Sequence, residues 1–585
     1  MDVHSDKRSR IGFSRSTTRA ALALLCAVLG GCTLHQYREQ ADRTAKASIA
    51  GGQNRFVEDK RDFSIEYRRL QADRAGKLAL NGKALPLDAK ESTKVTLEDV
   101  LEIAFRNSRE YQTRKEQLFS QALTVANGRR GWESPLSAGE ISGFSGVNKV
   151  GDRTTFPTEG DLTLGLTQQL AHGGVVTMGL ALATVTDFLG SDSTTAGSLL
   201  SAGISQPLLR GAAAGLAYES QYRLERDFAI ALYDFARFEQ DFAADVTNAF
   251  YRLLQQRDRL ENELAGIKRI DLTYARTKAL FDRGQVSRIQ TDQSEQNLLN
   301  AQVRLERIRL VYEDAVDAYK IVIGLPVTAR VEPAYPEAMD QLRTLVPDTK
   351  DIPVTEPRAV DIALRTRPDV LTQRAALRDA GRNVELAADA FLPQVDLQAG
   401  VGVPSKPQRQ IQELQFHRRE RFARVVLDYN FDQTDNRDAY RNSIISLAQA
   451  QRDYDRFVDT VRLSVRRSFR TLGQSQRTYQ LQSNSVQIAE RRYLLASREQ
   501  SEGQAAARDV LEAEDALRTA RNGLTDALVE YATTRLDFMG GLGMLQVDAK
   551  GRLHERAEPV TFRRIAARYA YAGEPQTTSA RQDGR

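Results

Sequence analysis

The 585-residue chain has two cysteines, one tryptophan and five histidines. Both cysteines, Cys26 and Cys32, stand near the N-terminus, so no disulfide staples the body of the chain. His4, His35, His172, His417 and His554 are scattered. No HExxH, CxxC, GxSxG or Walker sequence accompanies them, so metal, nucleophile and nucleotide sites lack the spacing they need. No enzyme activity, metal or cofactor is expected. An excess of one charge is also missing: 82 Lys+Arg face 77 Asp+Glu. Three of the five net positive charges fall within residues 1–31, which leaves no basic surface for nucleic acid. The only long apolar run, Ala20 to Gly31, is about half of what a spanning helix requires. Proline is absent from Pro207 to Pro326 and from Pro407 to Pro559.

Basic residues precede the apolar run and small residues end it, as in a secretory signal over 1–31. Its last residues with the next, Leu29-Gly30-Gly31-Cys32, resemble the lipobox of bacterial lipoproteins. That resemblance implies cleavage before Cys32, acylation of Cys32 and anchoring by acyl chains at about 0.8 kcal/mol per buried CH₂. Thr33 stands where an aspartate would signal inner-membrane retention, which favours the outer membrane. Residues 32–95 are polar and mixed in charge, and read as a lipid-anchored tether.

The proline-free stretches allow unusually long helices, because an interior proline costs about 3 kcal/mol. Leu216 to Phe281 is helix-forming throughout, with Gly266 as its one breaker, and would span roughly 100 Å. Phe235, Phe238, Phe242 and Val246 are spaced to pack such a helix against others. Gly284–Gly324 aligns without gaps on Gly503–Gly543. The pairs Leu298/Leu517, Ala301/Ala520, Leu305/Leu524 and Tyr312/Tyr531 are identical and form one helical stripe. Ile103-Ala104-Phe105-Arg106 likewise matches Ile362-Ala363-Leu364-Arg365, each expected to open a helix. The chain therefore divides into two related repeats, 96–326 and 355–545, with a linker at 327–354 and a C-terminal equatorial or disordered tail at 546–585.

Strand patterns interrupt each repeat. Leu162, Leu164 and Leu166 alternate with Thr163, Gly165 and Thr167; beyond Gly173-Gly174, Val176, Met178, Leu180 and Leu182 alternate in the same way. Ser198–Gln206 is a further run. In the second repeat Val395–Val403 and Val425–Phe431 alternate. Apolar residues on one face and small or polar ones on the other suit a barrel wall between lipid and water, and equally a soluble sheet with one dry face. Ile411–Arg424, rich in arginine, is expected to be an external loop.

Several sequences in order resemble the outer-membrane efflux (TolC-like) family over nearly all of 96–545. They are Thr96–Ala104, Ser205-Gln206-Pro207-Leu208-Leu209-Arg210-Gly211, Gly284-Gln285-Val286-Ser287, Gly324-Leu325-Pro326, Arg367-Pro368-Asp369-Val370 and Phe391-Leu392-Pro393-Gln394-Val395. The resemblance implies an α+β membrane protein, a homotrimer in which each protomer gives four strands to one β-barrel continued by a coiled-coil periplasmic tunnel. Four strands cannot close alone, and an open edge in lipid would leave backbone groups unpaired. The implied role is the passive exit duct of a tripartite efflux or type I secretion system, partnered by a periplasmic adaptor (membrane fusion) protein and an inner-membrane transporter. The turns at Arg283, Gly284, Gln285, Val286 and Ser287, and at Glu502, Gly503, Gln504 and Ala505, match the family's adaptor-docking tips. Asp292, Asp509 and Glu512 lie where gate carboxylates would sit. Half one carries more strand-like runs than the family needs, so the Gly173-Gly174 hairpin is either a membrane strand pair or a surface hairpin. Trp132 and the tyrosines suit either an aromatic belt or core packing. The contrasting reading is a periplasm-spanning lipoprotein scaffold without a pore.

Overall fold

Helices run furthest where proline is missing. In the computed structural model, α4 (Glu219–Asp282) has 64 residues and α9 (Thr434–Ser501) has 68, each about 100 Å at 1.5 Å per residue. The described residues are 34–555, except 57–62, 64, 66–76, 81–82, 87–91, 131, 133–135, 146–147, 151–152, 156, 171, 188–193, 346–353, 406–413, 503 and 549–550. Cys32, Gly503 and the tail beyond 555 therefore lie outside them. Gly266 does not break α4: the helix passes through it, packed against Glu514 and Arg518.

Each long helix turns back into a 35-residue helix: α5 (Arg288–Val322) after α4, and α10 (Ala507–Gly541) after α9. The other halves of the long helices are flanked by helices that change direction once. These are α2 (Leu97–Asn107) with α3 (Arg109–Arg130), and α7 (Glu356–Thr366) with α8 (Pro368–Asp389). Thr96 starts α2 with a capping box: its hydroxyl accepts from Asp99 N–H, and Asp99 Oδ2 accepts from Thr96 N–H at 3.2 Å, satisfying two orphan donors. Pro368 at the first turn of α8 needs no N–H partner there. The Ile103–Arg106 and Ile362–Arg365 matches sit in the closing turns of α2 and α7, not at helix openings.

The main core lies midway along the long helices. Ile103 and Ala104 of α2, Phe250 and Leu254 of α4, Ile323 after α5, Ala363 of α7 and Leu542 after α10 meet there. The segment read as a linker joins that core: β6 (Val331–Pro333) pairs in parallel with β1 (Thr93–Val95), and α6 (Glu337–Thr344) buries Ala338, Met339 and Leu342. Part of the expected tether is likewise packed structure. Helix α1 (Leu34–Phe56) buries Ala45 and Ile49 against Leu118, Ala122, Val125, Phe228 and Leu232. A short hairpin of β9 (Leu545–Val547) and β10 (Leu553–Glu555) follows α10.

At one end of the helices stands a fully antiparallel six-stranded sheet. Its strands are β2 (Leu136–Ser145), β3 (Pro157–Gln169), β4 (Val175–Asp187), β5 (Thr194–Pro207), β7 (Gln394–Pro404) and β8 (Glu420–Asp428), in the order β8-β7-β5-β4-β3-β2. This is two strands more than the expected four, because the Gly173-Gly174 hairpin lies within the sheet. Glu420, Arg421 and Arg424, expected in a loop, belong to β8, whereas 411–413 lie outside the described residues. The strand tolerates these charges because Glu420 and Arg421 stand at its far end and Arg424 donates to Gln398 Oε1 (2.9 Å) across the polar face. The strand ends at Asp428, before Tyr429 and Phe431.

Candidate conduit wall and helical tips

Antiparallel register puts directly opposed residues on one face of a sheet. Here it assembles apolar rows across strands far apart in sequence: Leu164, Leu180, Leu200 and Val403 in one, and Leu166, Met178, Ala202 and Val401 in the next. Leu397 and Val395 extend this face to Val425 and Leu427 of β8. Most of these side chains are open to the surroundings of the protomer, with Met178 53%, Val425 63% and Leu427 67% exposed, whereas Val403 is buried. The reverse face carries Gly165, Gly179, Ser201 and Gly402, then Thr167, Thr177, Gly203 and Gly400. Among the described side chains Leu199 and Phe422 are large exceptions on it; the Phe422 ring covers Gly400. Where the sheet meets the helices, Trp132 stacks on Tyr218 with ring centroids 3.8 Å apart.

The opposite end of α4 is a turn built on glycine. Gly284 has φ 73°, a conformation that costs other residues about 1–2 kcal/mol. Gly284 N–H donates to Phe281 O (2.7 Å) and Gln285 N–H to Leu280 O (2.9 Å), the paired bonds that close a helix C-terminus. Ser287 then starts α5. Arg283, Gly284, Gln285 and Ser287 are exposed, with Val286 half-buried, and exposed Phe281 and Ile289 flank them. In the second tip Glu502 caps α9 and Gln504 N–H donates to Glu499 O (2.8 Å). Gln504 is exposed there and Ala505 half-buried.

The three gate candidates have separate surroundings. Asp509 Oδ2 accepts from Ala506 N–H (3.1 Å) and so caps α10. Glu512 pairs with Arg492 of α9 at 3.2 Å. Asp292 is exposed and stands 3.9 Å from Arg288.

Amphipathic spacing did not point to the polar ladder joining α4 to α10. Asp258 accepts from Thr525, from Tyr335 OH (3.0 Å) and from Asn262 (3.1 Å). Arg259 grips Asp526 through both carboxylate oxygens at 2.8 Å. Arg269 grips Glu514 at 2.6 and 2.8 Å, and Glu514 is only 2% exposed. Burial pushes the Glu514 carboxyl above its ordinary range, against the opposing pull of Arg269, Arg521 and Arg518. In the gap-free alignment of the two repeats Glu514 matches Glu295, but the partner of Glu514 comes from another helix 245 positions away. Burial also pushes the Tyr335 hydroxyl upward, with Asp258 adding to it.

Residues 359–543 match the sequence model of the outer membrane efflux protein family. No curated protein matches the sequence. The fold is similar to that of the Campylobacter jejuni CmeC outer membrane channel, at TM-score 0.56 and 14% identity over 79% of this chain and 87% of that one. It is similar to the outer membrane protein VceC of Vibrio cholerae, at TM-score 0.56 and 14% identity over 76% and 96%. The open-state MtrE outer membrane channel of Neisseria gonorrhoeae gives TM-score 0.53 and 15% identity over 76% and 88%. Residues 359–543 thus match the outer membrane efflux protein family, and the chain as a whole has the fold of the CmeC and VceC outer membrane channels.

Proposed function

We propose that the chain is the outer-membrane exit duct of an efflux or type I secretion system. Three copies close their sheets into one wall, and the long helices continue it as a tunnel across the periplasm. The observation that carries this reading is the sheet with one exposed apolar face and one small or polar face. Such a sheet is stable in hydrocarbon when its outer strands are paired by neighbouring copies. Helices of about 100 Å leading away from it are long enough to reach a partner held at another membrane. The exposed tip at Gly284 and the second tip, around Glu502 and Gln504, dock a periplasmic adaptor, which an inner-membrane pump engages. Transport is passive within this chain, and energy comes from the pump. Asp292, Asp509 and Glu512 contribute negative charge near the closed end.

Cys32 is the anchoring residue in this reading. Helix α1 packs Gly52 on Phe228 and Leu232, and beyond it Phe63 meets Phe235. It therefore runs in the direction of α4, with its Leu34 end toward the sheet, on the side where acyl chains on Cys32 would enter the outer membrane.

Reconstitution into planar bilayers tests the proposal. Discrete, long-lived conductance from the purified full chain is expected. Folded, helical protein that gives no conductance overturns the duct and leaves a lipid-anchored scaffold.

A further inference from the structure

Four strands of the sheet connect directly to helical segments: β2 follows α3, β5 leads to α4, β7 follows α8 and β8 leads to α9. The remaining pair, β3 and β4, connects only to strands. We propose that the β3–β4 hairpin is part of the lipid-facing wall, so that each copy contributes six strands and three copies close an eighteen-stranded barrel. This rests on the exit-duct reading and commits to lipid acyl chains as what covers the hairpin's apolar face.

Length is the first support. The hairpin strands have 13 residues each, above the roughly 9–11 that cross a bilayer when tilted. Pairing is the second. From Val175↔Ser205 to Thr186↔Thr194, β4 follows β5 without a bulge, so the hairpin extends the sheet in its own plane.

The turn gives a third support. Gly173 has φ 76°, and a Cβ there would lie 2.5 Å from Gly211 O, at the junction that leads into α4. Gln206 Nε2 donates to His172 O at 2.9 Å. The tight turn after Gln169 therefore sits on the helix side of the sheet. At the other end of the sheet, β2 connects to β3 and β7 to β8 through more residues than the five between β3 and β4. Outer-membrane barrels have this asymmetry, with short periplasmic turns and longer external loops.

Side chains complete the case. Leu164, Leu166, Met178 and Leu180 lie in register with Leu200 and Val401, so the apolar face runs on from the four helix-linked strands into the hairpin. Behind it, Gly165, Gly179, Thr167 and Thr177 leave the bore clear. Diameter grows roughly linearly with strand number, so the mouth would be about 1.5 times as wide as a twelve-stranded one. The number of long helices per copy is unchanged, so the wall flares outward from the tunnel.

Spin labels placed singly on the full chain in proteoliposomes test this, with the label-free background of the native cysteines subtracted. Met178, Leu180, Thr177 and Ala181 report on β4, and Leu397 and Gln398 on β7. Expected is oxygen-favoured relaxation at Met178, Leu180 and Leu397, and water-soluble nickel-chelate relaxation at Thr177, Ala181 and Gln398. Alternation on β7 with water access on both faces of β4 overturns the eighteen-stranded wall and leaves the duct standing. Loss of alternation on both strands overturns the duct as well. An electron cryomicroscopy map of the unmodified chain in nanodiscs gives an independent count: eighteen strands support the proposal and twelve refute it.

Discussion

Three glycines share one backbone conformation and differ in the space around them, which allows a graded stability prediction. Gly284, Gly543 and Gly324 have φ of 73°, 70° and 77°. An alanine at any of them incurs the left-handed cost of about 1–2 kcal/mol. At Gly284 a Cβ meets nothing within 4 Å, so Gly284→Ala should cost only the left-handed term of about 1–2 kcal/mol. At Gly543 it comes within 3.3 Å of Thr366 Oγ1, a side-chain atom, and the cost should be slightly higher. At Gly324 it would stand 2.4 Å from Asn107 O and 2.6 Å from Asn107 C. Those are backbone atoms of a buried residue that ends α2, so relief requires moving the α2–α3 junction. Overpacking adds about 1–3 kcal/mol, which brings Gly324→Ala to about 2–5 kcal/mol in all. Guanidinium denaturation in detergent, followed by helical circular dichroism, reads the midpoints. The order Gly284→Ala, Gly543→Ala, Gly324→Ala, from least to most destabilised, is expected. Equal losses at Gly284 and Gly324 would refute the reasoning, because free space would then not decide the outcome.

The Arg269–Glu514 pair should behave as a buried ion pair. Arg269→Met leaves the carboxylate buried and should cost about 3–5 kcal/mol at neutral pH, with Arg269→Met/Glu514→Leu recovering part of it. Since the folded Glu514 carboxyl is already raised, its contribution is fully present below the unfolded value, about 4.3, and is lost as pH rises through the folded value. The deficit of Arg269→Met should therefore shrink on acidification, and a deficit independent of pH between 7 and 5 would count against the assignment. At the tips, Gly284→Pro with Gly503→Pro should abolish export while leaving the assembled protein intact; proline cannot adopt φ 73° and deletes the Gly284 N–H bond to Phe281. Unchanged export in cells would argue against tip docking. Ile49→Ala should cost about 2–4 kcal/mol of local stability and expose α1 to limited proteolysis, whereas a tether without packing would show no change.

Much of the architecture was legible because it depends on local rules. Proline-free stretches gave the positions of α4, α5, α9 and α10, and the glycine at 284 marked a helix end that needs positive φ. Alternation located β3, β4, β7 and most of β5. The packing of segments 34–56 and 327–345 escaped the sequence because their apolar content is thin: Ala45, Ile49, Met339 and Leu342 are few, and become core only when a neighbouring helix supplies the other side. Arginines hid the first half of β8, whose second half alternation located at Val425 and Leu427, since composition does not show that Arg424 faces Gln398 across the polar side of a strand.

Helix length, turn positions and the two-faced character of the strands are thus properties of the sequence itself, because each is decided by residues within a few positions of one another. The pairing of β5 with β7, the seating of the β3–β4 turn on Gly211, and the pairing of Arg269 with Glu514 were decided by the tertiary structure. These contacts join groups from about 40 to more than 240 positions apart, and their energies depend on burial and approach that no local pattern encodes.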